Sequence, residues 1–395
     1  MEETKIYKFS ELCSKIGSGA TPKGGKESYL GGDIALIRSQ NVLDFNFSVD
    51  GLAYINNEQA QKLNNVSIEE NDVLLNITGD SVARACMAPS WILPARVNQH
   101  VAIVRGNADL VLNDYLLYFL QYKKSYLLSI SQGGATRNAL TKRMIEDIEL
   151  LLPNLSHQRK VVSILHSLDD KIELNRRIND NLEQQAQALF NHFFIEQPAL
   201  LGKYSLGNLT DSANYINGLA MQKFRPREGE QGIPVLKIKE LGQGRTDTSS
   251  DICSESIDEV YKVYNGDIIF SWSGTLMVKI WCGGKCGLNQ HLFKVTSEQY
   301  PKWFYYFWTK HHLDKFIRIA QDKAVTMGHI KRGELEKSEV LFPDTVVLNK
   351  IDDIISPIFN QIIGLKCENR NLTKTRDTLL PKLMSGELNV NKINC

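Results

Sequence analysis

The stretch SHQRKVVSILHSLDDKIELNRRINDNLEQQAQALFNHFF runs from Ser156 to Phe194. Apolar or seam-compatible residues fall at Val161, Leu165, Leu168, Ile172, Asn175, Asn179, Leu182, Ala186, Leu189 and Phe193, in alternating steps of four and three. That spacing is a heptad a/d seam. No Pro or Gly interrupts it. A helix of this length spans roughly 55 Å, longer than a small domain needs for its own core. The same pattern returns at Ile351, Ile355, Ile358, Ile362, Leu365, Asn369, Leu372, Arg376, Leu379 and Leu383, with Arg376 the one poor fit. Asn179 has Asn369 as its counterpart. The seam asparagines either fix the register of a helix pair at some cost in stability or face solvent at a helix end.

The repeat extends outward from the helices. Tyr7–Leu12 (YKFSEL) resembles Tyr204–Leu209 (YSLGNL). A glycine-bearing loop follows each, Gly17–Pro22 (GSGATP) and Asn217-Gly218. The strand candidates Asp33–Gln40 (DIALIRSQ) and Ile233–Lys239 (IPVLKIK) come next. Asn71–Gly79 (NDVLLNITG) matches Gly266–Gly274 (GDIIFSWSG), and Val97–Val101 (VNQHV) matches Leu288–Leu292 (LNQHL). Each NDV/GDI segment reads as a turn, a buried strand and a polar loop closed by Gly. Aromatic-rich helix candidates cover Tyr115–Tyr126 and Trp303–Phe316; at helical spacing, the run Trp303–Trp308 (WFYYFW) reads as core rather than as a base-stacking face. Ile148–Pro153 (IELLLP) and Ser338–Pro343 (SEVLFP) are strands that each Pro ends before a long helix.

The fold class expected is α+β: two mixed α/β domains separated by two long antiparallel helices, as an internal pseudo-two-fold repeat. The boundaries expected are 1–155 for the first domain, 156–196 for the first helix, 197–345 for the second domain, 346–388 for the second helix and 389–395 for a tail. Gly386 is placed as the C′ glycine of the second helix. Pro357, where the first helix has Ser167, predicts a kink or a helix that effectively starts there.

The chain has 395 residues, 43% of them hydrophobic and 23% charged, which is the composition of a soluble globular protein of two or more domains. The start, MEETKIYKFS, lacks the apolar core of a secretory signal, and no run of 18 or more apolar residues suggests a membrane span. Seven scattered cysteines fit a reducing cytoplasm better than a disulfide framework. A net charge of +1 gives no global sign of nucleic-acid binding, so any such surface requires local segregation of charge.

Several catalytic signatures are missing. The eleven prolines include no Pro-Pro pair, so the usual amino-methyltransferase motif is absent. There is no G-x-x-x-x-G-K-[ST] loop, and Pro343-Asp344 is not followed by the rest of a common nuclease core. Cys282 and Cys286 with nearby His291 fall short of a four-ligand zinc set, and no counterpart pair exists in the first copy. His157 and His166 at the start of the first helix read as solvated or capping residues.

Polar and basic loops do occupy matching places. In the first copy they carry Thr21, Lys23 and Lys26; Arg38, Ser39, Gln40 and Asn41; Thr78, Ser81 and Arg84; and Thr136, Arg137, Asn138 and Lys142. In the second they carry Gln222, Lys223, Arg225 and Arg227; Lys237 and Lys239; Trp272, Ser273, Thr275 and Lys279; and Lys323, Thr326, His329, Lys331 and Arg332. Arg and Lys suit guanine edges and phosphates, and Asn and Gln suit adenine. Gly24-Gly25 and Gly133-Gly134 allow close backbone approach to a phosphate. These loops differ between copies while their framing strands match, as expected of one scaffold that reads two sequences. Asn98-Gln99-His100 and Asn289-Gln290-His291 are identical, which suggests a scaffold or backbone role and ranks them below the divergent loops.

With both repeats laid out, nearly the whole chain resembles the specificity subunit of a type I restriction–modification system. The resemblance rests on the strand-Pro-helix entries, on His157–Leu165 (HQRKVVSIL), Leu168–Asn175 (LDDKIELN), Asn181–Glu183 (NLE) and Arg376–Leu388 (RDTLLPKLMSGEL), on the GATP loop at 19–22 and on Thr78-Gly79. The second copy departs from it at Asn217–Met221, which lacks Thr-Pro. The resemblance implies two target-recognition domains that each read part of a bipartite site on double-stranded DNA. It implies that the long helices set the unread gap, and that two methyltransferase subunits dock mainly on the helical region. Restriction/translocase subunits complete the complex. S-adenosylmethionine, ATP and Mg belong on those partners, with no cofactor, metal or catalytic residue in this chain and no membrane. Two other readings stand beside it: a repeat-built scaffold that does not touch DNA, and a stand-alone DNA-modifying enzyme.

Overall fold

A computed structural model describes residues 5–22, 29, 31–132, 138–322, 328–388 and 390. The chain forms two compact units, one of residues 1–170 with 374–395 and one of residues 171–373. The division therefore falls inside the long helices rather than at their ends.

In the first unit a four-stranded antiparallel sheet has the order Cys13–Ser18, Val101–Gly106, Val73–Asn76, Ala85–Met87. Its central strands are apolar without interruption because both faces are covered. Val73 and Leu75 point into one core, shared with Tyr115, Leu116, Val161, Leu165, Leu380 and Leu383. Leu74 and Ile103 point into a second, shared with Leu36, Ile55 and Val97. That second core lies against a three-stranded sheet of Ala53–Ile55, Ile34–Ile37 and Ala95–Val97. The second unit repeats the plan with Asn214–Asn217, Leu292–Thr296, Asp267–Ser271 and Met277–Trp281. Ile268 and Phe270 face one core and Ile269 the other. Its smaller sheet has four strands, Ile252–Cys253, Ile233–Leu236, Cys286–Leu288 and Lys262–Val263. In both units the strand leading to the NQH segment pairs parallel with its neighbour, Ile34–Ile37 with Ala95–Val97 and Ile233–Leu236 with Cys286–Leu288.

The first long helix runs over Leu155–Asn191 and widens into a π-turn at His192–Glu196 before Pro198. The second runs over Thr345–Met384. It starts well before Pro357 and continues through it, so the helix does not begin at that proline. Gly386 follows it with φ +77° and donates its N–H to the Leu383 carbonyl, as a C′ glycine does. None of the twenty seam positions is exposed. The helices pack antiparallel within each unit, with Arg376 bonded to Asp169 in the first and Asn369 to Ile172 in the second.

Two seam details go beyond the sequence pattern. Asn369, the repeat counterpart of Asn179, meets Asn175 across the helix pair: Asn175 Nδ2 donates to Asn369 Oδ1 and Glu368 Oε2, both at 2.9 Å. Both Asn175 and Asn179 are buried, so the solvent-facing alternative fails. Arg376 is 7% exposed. Its guanidinium donates to Asp169 and Asp377, each at 2.8 Å, and lies 3.7 Å over the Phe45 ring.

The aromatic helices are core, as their spacing predicts: Trp303 through Trp308 are all buried. Each is broken into two pieces, Asn113–Tyr122 and Lys124–Ser131, then Lys302–His311 and Leu313–Asp322. The match of Tyr7 with Tyr204 slips by three residues. Phe9 is the counterpart of Leu209: both are fully buried and donate their N–H to the carbonyls of Ile148 and Ser338 at 2.9 and 3.0 Å. Burial sets this register, and the tyrosines are incidental.

Candidate nucleic-acid interface

In each unit the strand at the middle of the larger sheet ends in a buried polar residue, Asn76 or Ser271. Asn76 Nδ2 donates to the carbonyls of Ser39 at 2.8 Å and Val42 at 3.2 Å. This ties the 39–42 turn to the strand end. The chain then turns at Gly79 (φ +73°) or Gly274 (φ +65°), a backbone region that a side chain disfavours. A later segment is stitched across that turn in the same way in both units. Gly79 N–H bonds Asn138 O at 2.9 Å, and Gly274 N–H bonds Gly328 O at 3.0 Å. Leu140 and Ile330 N–H return to the carbonyls of Ile77 and Trp272.

The NQH segments close the arrangement. Asn98 and Asn289 are buried, with N–H on Ile37 O at 3.0 Å and Leu236 O at 3.2 Å. Their Oδ1 atoms accept the N–H of His100 at 3.0 Å and of His291 at 3.4 Å. Gly19 and Gly218 lie so close to them that a Cβ would overlap the carbonyls of Val97 and of Leu288 and Asn289.

Around His100 the first unit gathers Thr21, Thr78 and Gln99. Thr78 Oγ1 lies 2.6 Å from His100 Nδ1, Gln99 Nε2 lies 3.2 Å from His100 Nε2, and the Thr21 hydroxyl donates to Gln99 Oε1. Exposed Asn138 joins the group through its carbonyl bond to Gly79. Around His291 the second unit gathers Asn217, Trp272, Gln290 and His329. Trp272 Nε1 donates to Asn217 Oδ1 at 3.2 Å, and its ring lies 6.2 Å from the rings of both His291 and His329.

Other predicted residues are committed elsewhere. Asn41 is fully buried, with its amide on the carbonyls of Ser48 and Asp50 and its Oδ1 on Arg38 N–H. It builds the turn and is not available as a reader. Ser273 is buried too, in a backbone bridge with His329. Arg38 and Gln40 donate to the Gly51 and Asp50 carbonyls, which leaves Ser39 half-buried between them. Ser81 and Arg84 are half-buried, and Lys142 is exposed and paired with Glu146 at 3.4 Å. In the second unit Lys237 pairs with Asp251, Lys239 donates to Ser249 Oγ at 2.9 Å and Lys279 to Gly242 O at 3.2 Å. Gln222, Lys223, Arg225, Arg227, Thr275, Lys331 and Arg332 are exposed. Gln222, Arg225 and Lys237 line a cavity of about 290 Å³ with Asn289 at its wall. Lys23, Lys26, Thr136, Arg137, Lys323 and Thr326, with the glycine pairs at 24–25 and 133–134, lie outside the described residues.

The sequence ranked Gln99, His100, Gln290 and His291 below the divergent loops, yet these side chains sit where the loops meet. Their signal was identity between copies at a place flanked by difference. The Cys282–Cys286 loop wraps the Trp281 ring, whose Nε1 donates to Gly284 O at 2.7 Å. Burial pushes both thiols up to about 12, opposite to the thiolate a metal needs. Among the described residues no group of three His, Cys, Asp or Glu is placed to hold a metal, and no helix is long and apolar enough to cross a membrane.

The sequence profile of the type I restriction modification DNA specificity domain matches residues 1–184 and 203–373. The chain is 26% identical over 415 residues to the specificity subunit of type I restriction enzyme MjaIX of Methanocaldococcus jannaschii, covering 98% of this chain and 94% of that protein. It is 21% identical to the HindI specificity subunit of Haemophilus influenzae, over 74% and 81% of the two chains. The crystal structure of a type I restriction-modification S subunit from M. genitalium superposes with a TM-score of 0.54 at 14% identity, covering 97% of this chain and 96% of the other.

Proposed function

Since the chain belongs to the type I restriction–modification DNA specificity family, we propose that its two units each read one part of a bipartite duplex DNA site. The observation that carries this is the pair of loop clusters. A shared frame of Asn98 or Asn289 and the stitched glycine turns supports loops whose side chains largely differ between the units. Thr21, Thr78 and Asn138 surround one NQH segment; Asn217, Trp272 and His329 surround the other. Unlike contact residues on like frames favour two unlike half-sites.

The chain itself is non-catalytic and docks methyltransferase subunits, and restriction subunits complete the complex. S-adenosylmethionine and adenine methylation belong to the former, ATP and Mg to the latter, in the cytoplasm. The exposed cations Lys223, Arg225, Arg227, Lys331 and Arg332 give the second unit an attraction for phosphates that falls with salt.

The test is reconstitution with the methyltransferase partner. Duplex binding weakens as salt rises, and mapping of methylated adenines in cells that carry both proteins returns a two-part motif with a fixed gap. Binding that is absent or indifferent to salt favours the scaffold reading instead. Methyl transfer by the isolated chain favours the stand-alone enzyme.

A further inference from the structure

We propose that Gln99 with His100, and Gln290 with His291, form a matched pair of phosphodiester contacts that grip the DNA backbone at both half-sites. The inference rests on the DNA-reading function proposed above and adds the chemical group these side chains meet.

The fold uses the asparagine of each NQH segment as a buried backbone tie, whereas the side chains of the glutamine and histidine after it bond, among the described residues, only to neighbouring side chains. Asn98 and Asn289 are buried and hold the turn through Oδ1 and N–H. Gln99 is exposed, while Gln290, His100 and His291 are half-buried, so packing does not dictate their identity. His291 Nδ1 is buried without a hydrogen-bond partner among the described residues, a cost in stability that an apolar residue would remove. Yet both units keep the same two residues while the side chains around them diverge from Thr78 and Thr21 to Ser273, Trp272 and Asn217.

Two unlike half-sites share the sugar–phosphate backbone along their whole length. An identical element on two otherwise different readers fits that shared feature and not a base edge. The geometry supplies the donor. Gln99 Nε2 lies 3.2 Å from His100 Nε2, and Gln290 Nε2 lies 3.4 Å from His291 Nε2. In the tautomer that carries its proton on Nδ1, the imidazole Nε2 accepts one amide proton and so orients the amide. The second amide proton is left to donate to a phosphate oxygen. Thr78 Oγ1, at 2.6 Å, accepts the Nδ1–H that this tautomer requires in the first unit.

The experiment uses the full chain reconstituted with its methyltransferase subunits, and a panel of duplexes varied one base pair at a time in each half. Gln99→Ala and Gln290→Ala each lower affinity about tenfold, by the same factor on every duplex. The salt slope stays that of the wild type, because an uncharged donor releases no counterion. Gln99→Glu and Gln290→Glu keep the side-chain shape, bring negative charge against the phosphate and lower affinity further. A change in the order of preferred bases overturns the proposal in favour of base reading. Affinity unchanged in the Ala variants, or equal to wild type in the Glu variants, overturns it in favour of a structural role. Wild-type complex that shows no sequence preference at all defeats the DNA-reading function itself, which separates the two failures.

Discussion

Arg376 is the one misfit in an otherwise apolar seam, and its surroundings explain it. Its guanidinium is shared by Asp169 and Asp377 and stacks on Phe45, while Asp169 also accepts the Tyr118 hydroxyl at 2.7 Å. Arg376→Ala strands that carboxylate and removes the stack, and costs about 3 kcal/mol of stability in urea denaturation. Two histidines make the units respond to pH in opposite senses. The Asp114 carboxylate, bonded to His166 at 2.9 Å, raises the His166 pKa above its usual value. That contribution is complete below the unfolded pKa near 6.5 and is lost as pH rises through the folded value. Burial instead lowers His312 to about 4. The unfolded chain then binds the extra proton, so the second unit loses stability as pH falls from about 6.5 toward 4. Denaturation curves of Asp114→Asn and His312→Gln between pH 5 and 8 check both signs: each variant flattens its own limb. Residue types were legible at this scale, but commitments were not. Asn41 and Ser273 look like readers in sequence because nothing in their identity reveals burial, and that follows from how the chain folds back on them, at Ser48 and Asp50 for Asn41 and at His329 for Ser273.

The long helices were the most legible elements. Their heptad spacing persists over many turns, so local pattern and tertiary burial agree. The first short strand was the least legible, since four or five residues carry too little period to resist a three-residue slip. Pro357 is exposed and sits inside Thr345–Met384, where it supplies no N–H to the carbonyl of Asp353. Pro357→Ala restores that bond at a site without packing constraints, and raises the second unit's resistance to denaturant by about 2 kcal/mol. A loss of stability would mean that the proline shapes the helix around a contact. The Asn175–Asn369 pair adds a polar tie among apolar neighbours, the usual device for fixing register in a helix pair.

Both connections between the units are helical, residues 155–191 and 345–384. If these helices set the gap in the DNA site, removal of one heptad from each changes the preferred spacer length and leaves both half-site sequences intact, as read by methylation mapping. A changed half-site with an unchanged gap would refute that role. The internal repeat made the architecture legible, because two noisy copies confirm one another. The recognition surface was legible only as a set of loops, since which side chains face outward depends on how distant loops close on one another.

The first unit's core takes Leu380, Leu383 and Val390 from the far end of the chain, whereas residues 171–373 of the second are contiguous. During synthesis the second unit is complete first. The first emerges early but stays open along its helix face until residues 374–390 leave the ribosome. Premature termination shortly after residue 373 therefore releases a chain with a finished second unit and an uncovered first one. Such truncated products are the ones a cell's proteases and chaperones would meet as misfolded.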